Sequence, residues 1–170
     1  MTLSAVRVGV LTVSDRCARG EQEDVSGARI VEWCGARGFE VVERETVPDE
    51  TAVIAPTLVR WADDGVALVV TTGGTGLSPR DVTPEATRAV IDREVPGIAE
   101  EIRRIGLEST RFSVLSRGVV GLRGTCLIVN LPGSPGGVSD GLHVLGSLVE
   151  HAVALARGDQ PSHAAPKEGE

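Results

Sequence analysis

The sequence predicts a three-layer α/β sandwich on a mostly parallel sheet, and three observations carry that prediction. Extended and helical patterns alternate along the whole chain. The run Val66-Ala67-Leu68-Val69-Val70 is continuously apolar, as strands are when helices cover both faces. No fixed-period repeat breaks the alternation, and 170 residues bury enough surface for one core that needs no disulfide or metal staple.

Each element has its own signal. Val6 to Val13 is rich in β-branched residues and opens the chain as a strand. Ser26 to Gly35 sets Ile30, Val31 and Cys34 at helical spacing, with Gly35 and Gly38 as stop signals. Glu40 to Val47 is a second, more polar strand, expected nearer an edge, and Pro48-Asp49 ends it. In Glu50 to Asp64, Ile54, Leu58 and Trp61 form one helical stripe. Val66 to Val70 reads as a central strand. Thr83 is expected to cap the next helix, with Pro84 as its first residue, where a missing N–H costs nothing. Pro96 to Gly106 places Ile98, Ile102 and Ile105 on one face. Ser113 to Leu122 and Thr125 to Val129 read as two extended segments around a tight turn at Arg123-Gly124. Leu142 to Arg157 reads as one closing helix. Residues 1–157 are therefore taken as the domain, and the polar, proline-broken segment 158–170 as a disordered tail.

Composition removes several function classes. A net charge of −7, 2% aromatic residues and no Tyr argue against a nucleic-acid partner, which calls for a basic face and stacking platforms. Charges or glycines interrupt every hydrophobic stretch short of a membrane span. The N-terminus lacks the basic region and cleavage-like site of an export signal, and Cys17, Cys34 and Cys126 lack any C-x-x-C spacing. A reducing cytoplasm is the expected location. His143 and His151 have no clustered third ligand, which disfavours zinc. The only lysine, Lys167, lies in the tail, so Schiff-base and P-loop chemistry have no residue to carry them. Ser14 has no adjacent His to activate it.

In parallel sheets ligands sit outside the carboxyl ends of the strands. Four such ends carry more polar residues and glycines than a turn requires: Ser14-Asp15-Arg16, Pro48-Asp49-Glu50, Thr71 to Gly76, and Asn130 to Gly137. In the third, Gly73, Gly74 and Gly76 let backbone N–H groups form an anion-binding nest, and Thr72 and Thr75 add hydroxyls. It matches neither a Walker motif nor G-x-G-x-x-G, and a plain glycine-rich connection is the competing reading. Asp81 is spare if Thr83 caps the helix. A carboxylate beside a phosphate nest is repulsive unless a cation such as Mg²⁺ bridges them, although a solvated loop Asp also fits. Asp49 can share that metal, or simply cap the helix that follows. In the fourth loop Pro132 and Pro135 restrict the backbone, while Ser134 can cap a helix or touch a ligand. Arg16, Arg80 and Arg117 can each pair with phosphate or lie on the surface. Trp33 and Trp61 read as core or interface anchors.

As an ordered set, Ser-Asp-Arg at 14–16, Pro-Asp-Glu at 48–50, Thr-Thr-Gly-Gly-Thr-Gly at 71–76, Pro-Arg-Asp-Val-Thr-Pro-Glu-Ala-Thr at 79–87, Leu-Ser-Arg at 115–117 and Asn-Leu-Pro-Gly-Ser-Pro at 130–135 resemble the Mog/MoaB family of molybdenum-cofactor biosynthesis. The resemblance covers nearly the whole chain before the tail. It implies a molybdopterin-binding α/β domain, commonly a homotrimer, that transfers AMP from Mg-ATP to the terminal phosphate of molybdopterin and releases pyrophosphate. It also implies hand-over of the product to a molybdenum-insertion protein. It makes Asp49 and Asp81 the activity-associated carboxylates, and like-charge repulsion beside the phosphate nest makes the same pair the expected Mg²⁺ ligands. Substrate contacts fall on Ser14, Asp15, Thr72, Gly73, Gly74, Thr75, Gly76, Ser116, Asn130, Pro132, Gly133, Ser134 and Pro135. Some members carry a longer segment between the Pro-Gly loop and the last helix, and this chain is short there. A pterin-binding module without efficient adenylyl transfer is the alternative.

Overall fold

The computed structural model describes residues 5–159. In chain order the elements are β1 (Arg7–Val13), α1 (Asp15–Ala18), α2 (Val25–Ala36), β2 (Glu40–Val47), α3 (Thr51–Asp63), β3 (Leu68–Thr72), α4 (Thr83–Arg88), β4 (Arg93–Glu94), α5 (Pro96–Ser109), a 3₁₀ turn (Arg111–Leu115), β5 (Val120–Arg123), β6 (Cys126–Leu131), α6 (Pro135–Gly146) and α7 (Val149–Ala156). They form one six-stranded sheet in the order β2-β1-β3-β6-β5-β4. The first four strands in that order are parallel; β5 pairs antiparallel with β6, and β4 antiparallel with β5. The polar strand β2 is at the edge and β3 lies near the centre, as their patterns predict.

Strand pleating sends alternate side chains to opposite faces, and this sorts the helices into two layers. Val8, Val10, Leu68, Val70, Leu127, Val129 and Leu131 pack with α2, α5, α6 and α7. Leu11, Val13, Val69 and Ile128 pack with α3 and α4. Gly9 is required beneath Trp61, because a methyl there would lie 2.6 Å from the indole ring. Trp61 is fully buried, the anchor its stripe predicts.

Several expectations need correction. The closing helix is two helices, broken at Ser147-Leu148. Ser147 is the cap residue at the end of α6, and its hydroxyl donates to the Val144 carbonyl. The first part of the predicted extended segment 113–122 is 3₁₀ and coil, and only Val120 onward pairs in the sheet. Val82, not Thr83, occupies the cap of α4, and it makes no side-chain cap bond. Of the tail predicted from Gly158, residues 160–170 lie outside the described residues. No helix among the described residues is long and apolar enough to cross a membrane.

Candidate functional site

The carboxyl ends of β1, β2, β3 and β6 lie side by side, so four loops separated in sequence meet above one edge of the sheet. The amide of Ser14 donates to the Val47 carbonyl at 2.9 Å, joining the ends of β1 and β2. The Ser14 hydroxyl accepts from the Cys17 amide and caps α1, a one-turn helix too short to show in a periodicity. The next residue, Asp15, is crossed with Asp49. The Asp15 amide donates to Asp49 Oδ2 at 2.9 Å, and the Asp49 amide donates to Asp15 Oδ1 at 3.0 Å. Asp49 is therefore no helix cap; the cap residue of α3 is Glu50, which makes no side-chain capping bond.

The glycine loop is threaded tightly between these neighbours. The Gly73 amide donates to the Leu131 carbonyl, and the Thr72 hydroxyl donates to the Pro132 carbonyl at 2.7 Å. At Gly73 φ is +96°, and a methyl group would be driven into the Val13 carbonyl oxygen, so only glycine fits. The Gly74 carbonyl accepts from the Thr83 amide, and the Gly73 carbonyl accepts from the Thr83 hydroxyl. The amides of Gly74, Thr75 and Gly76 have no protein acceptor among the described residues. The nest reading of this loop thus narrows to residues 74–76, because the Gly73 amide is committed to β6.

Arg117 fastens the same segment from the strand β5 side. Its Nε donates to the Gly76 carbonyl at 2.8 Å, its Nη2 to the Asp81 carbonyl at 2.7 Å, and it pairs with Glu85. The side chain of Asp81 then folds back, with Oδ2 accepting the Ser78 amide at 2.9 Å. Arg80 reaches the other way, forking onto Asp15 with Nε to Oδ2 at 3.0 Å and Nη2 to Oδ1 at 2.9 Å. Neither pairing is legible in the sequence, because the carboxylate partners lie at least 32 residues away.

Some predicted contact residues also have protein partners of their own, and Ser134 and Pro135 among them still line the cavities beside the glycine loop. Asn130 is buried, with its carbonyl oxygen accepting the Val119 amide and its NH₂ donating to the hydroxyls of Thr71 and Thr87. It stiffens the ends of β3 and β6 and does not face the cavity. Ser134 caps α6 by accepting the Gly137 amide at 3.1 Å, and Pro135 is the first residue of that helix. The Asp15 carboxylate is engaged by Arg80 and the Asp49 amide. Among residues the sequence reading missed, Asp24 lines the site, caps α2 and accepts the Thr12 hydroxyl at 2.7 Å. An Asp immediately before an apolar helical run was the available signal.

Two cavities flank the glycine loop. The first, about 320 Å³, lies among Ser14, Asp24, Asp49, Gly74 and Asp81. The second, about 740 Å³, runs from Thr75 and Gly76 past Ser116 to the Pro132–Gly137 turn. Its apolar wall includes Leu77 and Phe112, respectively 65% and 60% exposed. Gly74, Asp81 and Gly133 line both cavities.

The electrostatics separate the carboxylates. Hydrogen bonding from Arg80 holds Asp15 below its ordinary range. Burial pushes Asp49 upward, and the neighbouring charges of Asp15 and Asp81 add to the shift against the bond from the Asp15 amide. Asp49 Oδ1 and Asp81 Oδ1 have no protein hydrogen bond among the described residues. The described residues contain no group of three or more His, Cys, Asp and Glu able to hold an ion alone. Two hard carboxylate oxygens nevertheless suit Mg²⁺, which commonly takes one or two carboxylates and completes its shell with water and substrate phosphate.

The chain matches the family described as the probable molybdopterin binding domain over residues 9–151. Molybdopterin adenylyltransferase of Escherichia coli K12 is 39% identical across 89% of this chain and 81% of its own. The enzyme of that name from Helicobacter pylori is 37% identical over 92% of this chain and 91% of its own. The Drosophila melanogaster molybdenum cofactor synthesis protein cinnamon is 38% identical, but this chain spans only 26% of it. Among solved structures, the molybdopterin biosynthesis enzyme MoaB of Thermus thermophilus superimposes with a TM-score of 0.85 at 50% identity, covering 91% of this chain and 98% of that one. The Mog protein of Mycobacterium ulcerans gives 0.85 at 47% identity, covering 89% and 99%. With the six motifs gathered at one sheet edge and the match spanning most of its length, the chain belongs to the molybdopterin-binding domain family of molybdenum-cofactor biosynthesis.

Proposed function

We propose that this chain transfers the adenylyl group of ATP to the terminal phosphate of molybdopterin, giving adenylylated molybdopterin and pyrophosphate. One observation carries the reading: two cavities meet at Gly74, Asp81 and Gly133, where two phosphorylated molecules can be brought end to end. In the transfer, a phosphate oxygen of molybdopterin forms a bond to the α-phosphorus of ATP, and the bond from that phosphorus to the pyrophosphate oxygen breaks. No side-chain nucleophile is required, so the work is positioning and charge neutralisation.

The residues divide that work. Unpartnered amides at Gly74, Thr75 and Gly76 are donors for phosphate oxygens. Asp49 and Asp81 would hold Mg²⁺, which when bound neutralises phosphate charge. The Ser26 hydroxyl, bonded to the Gly133 carbonyl at 2.8 Å, and the Thr72–Pro132 bond hold the wall shared by the two cavities. The exposed apolar side chains of Leu77 and Phe112 in the second cavity suit a ring system. The family resemblance and the curated adenylyltransferases at 37% and 39% identity support the assignment. By the same resemblance we read the working unit as residues 1–157, assembled as a cytoplasmic homotrimer that hands its product to a molybdenum-insertion protein.

The test is incubation with molybdopterin and Mg-ATP. Release of pyrophosphate with formation of the adenylylated pterin is expected. Stoichiometric pterin binding without pyrophosphate would leave a binding module in its place, and failure to bind either compound would overturn both.

A further inference from the structure

We propose that Arg80 is a positioning residue for the transfer, acting through Asp15 as a brace that fixes Asp49 relative to Asp81. This rests on the adenylyl-transfer reading. Arg80 directly precedes Asp81, so its main chain shares the placement of that carboxylate. Its guanidinium forks onto both oxygens of Asp15, at 3.0 and 2.9 Å. A two-point fork sets orientation as well as distance. Asp15 and Asp49 then hold each other's amides. The outcome is a continuous polar linkage from Asp81 to Asp49 that bypasses the sheet and joins three loops.

Fold stability does not account for this linkage. The Arg80 side chain is 58% exposed, and exposed ion pairs contribute little. The segment already has its structural fastening in Arg117, which holds the carbonyls of Gly76 and Asp81. What the Arg80–Asp15 fork adds is a fixed relation between the two carboxylates that flank the junction of the cavities. It also sets a cation among Asp15, Asp49 and Asp81, which otherwise repel one another.

The test compares R80A, D15N and the double variant in pyrophosphate release. In D15N the new side-chain carbonyl can still accept the Asp49 amide, while the NH₂ beside it opposes the guanidinium. The expected result is an equal loss of kcat in both single variants, about tenfold or more, with KM for ATP held within about threefold. The double variant is expected to be no worse than either single one, because both break the same link. R80K recovers only part of the loss, since a point charge cannot fork. Wild-type turnover in R80A, a rise in KM at unchanged kcat, or losses that multiply in the double variant would overturn the brace. A second readout is independent of turnover: amide exchange at Asp15 and Asp49 quickens in both single variants while the melting temperature stays put. Unchanged exchange overturns the brace, whereas a wild-type protein that releases no pyrophosphate overturns only the adenylyl-transfer reading.

Discussion

Asp15 and Asp49 each accept the other's main-chain amide, at 3.0 and 2.9 Å, yet their carboxyl groups are shifted in opposite directions. Arg80 accounts for the downward shift of Asp15, and burial for the upward shift of Asp49. The residue with a fixed cation beside it is the one through which the Arg80 brace acts. The residue without one is left with an uncommitted oxygen.

Asp49 ought to cost stability. Its folded pKa lies above the unfolded value, so the folded state favours the protonated form, and the penalty grows as pH rises above the unfolded value. D49N keeps an acceptor for the Asp15 amide and removes the charge. It should melt higher than wild type at neutral pH while losing turnover, on the order of a hundredfold. Thermal melts and pyrophosphate assays on the same preparation check this, and a lower melting temperature would contradict the shift.

The same shift sets an acid boundary. If Asp49 must be ionised to act, kcat/KM should fall with acidification at a pH above the ordinary 3.8 of an Asp side chain. Asp15, shifted the other way, stays ionised through that fall, so the brace survives it. A pH profile that stays flat to below 3.8 in a protein that remains folded would remove Asp49 from the mechanism.

Asp81 can be probed from two sides. D81N retains an acceptor for the Ser78 amide, so the fold should melt as wild type while turnover drops about a hundredfold or more. G76A leaves Asp81 in place chemically but puts a methyl 2.8 Å from Oδ2, which must move. Its turnover should fall about tenfold. Wild-type rates in D81N would exclude Asp81 from the chemistry.

Asn130 is expected to behave as a framework residue. N130A strands the buried Val119 amide and removes the donor to two threonine hydroxyls, costing about 2–4 kcal/mol in denaturant unfolding. KM for ATP should be unchanged. A raised KM with unaltered stability would return Asn130 to the ligand.

Much of the layer order is legible because burial writes itself into local pattern. Val66 to Val70 announces a covered strand, and the polar alternation of Glu40 to Val47 announces an edge. What fails locally is decided by distant partners. Asp49 stands where a helix cap belongs, but the cross-bond to Asp15, 34 residues away, takes it. Thr83 has the chemistry of a cap and uses its hydroxyl on the Gly73 carbonyl instead. Leu142 to Arg157 keeps helical spacing across Ser147-Leu148, so the break leaves no mark in the periodicity. Four residues of α1 and two of β4 are too few to show a period at all. The site loops are visible as motifs, while their division between wall and contact surface is not, since Asn130 and Ser134 look the same in sequence whichever way they point.

The buried hydrogen bonds running from the Thr71 hydroxyl through the Asn130 NH₂ to the Thr87 hydroxyl, then to the Thr83 carbonyl, and from the Thr83 hydroxyl to the Gly73 carbonyl, mean the start of the glycine turn surrenders its freedom during folding, before any ligand arrives. Less ordering entropy is then charged to the encounter itself. Free and loaded forms should share one backbone over residues 71–76, a mould cast in advance.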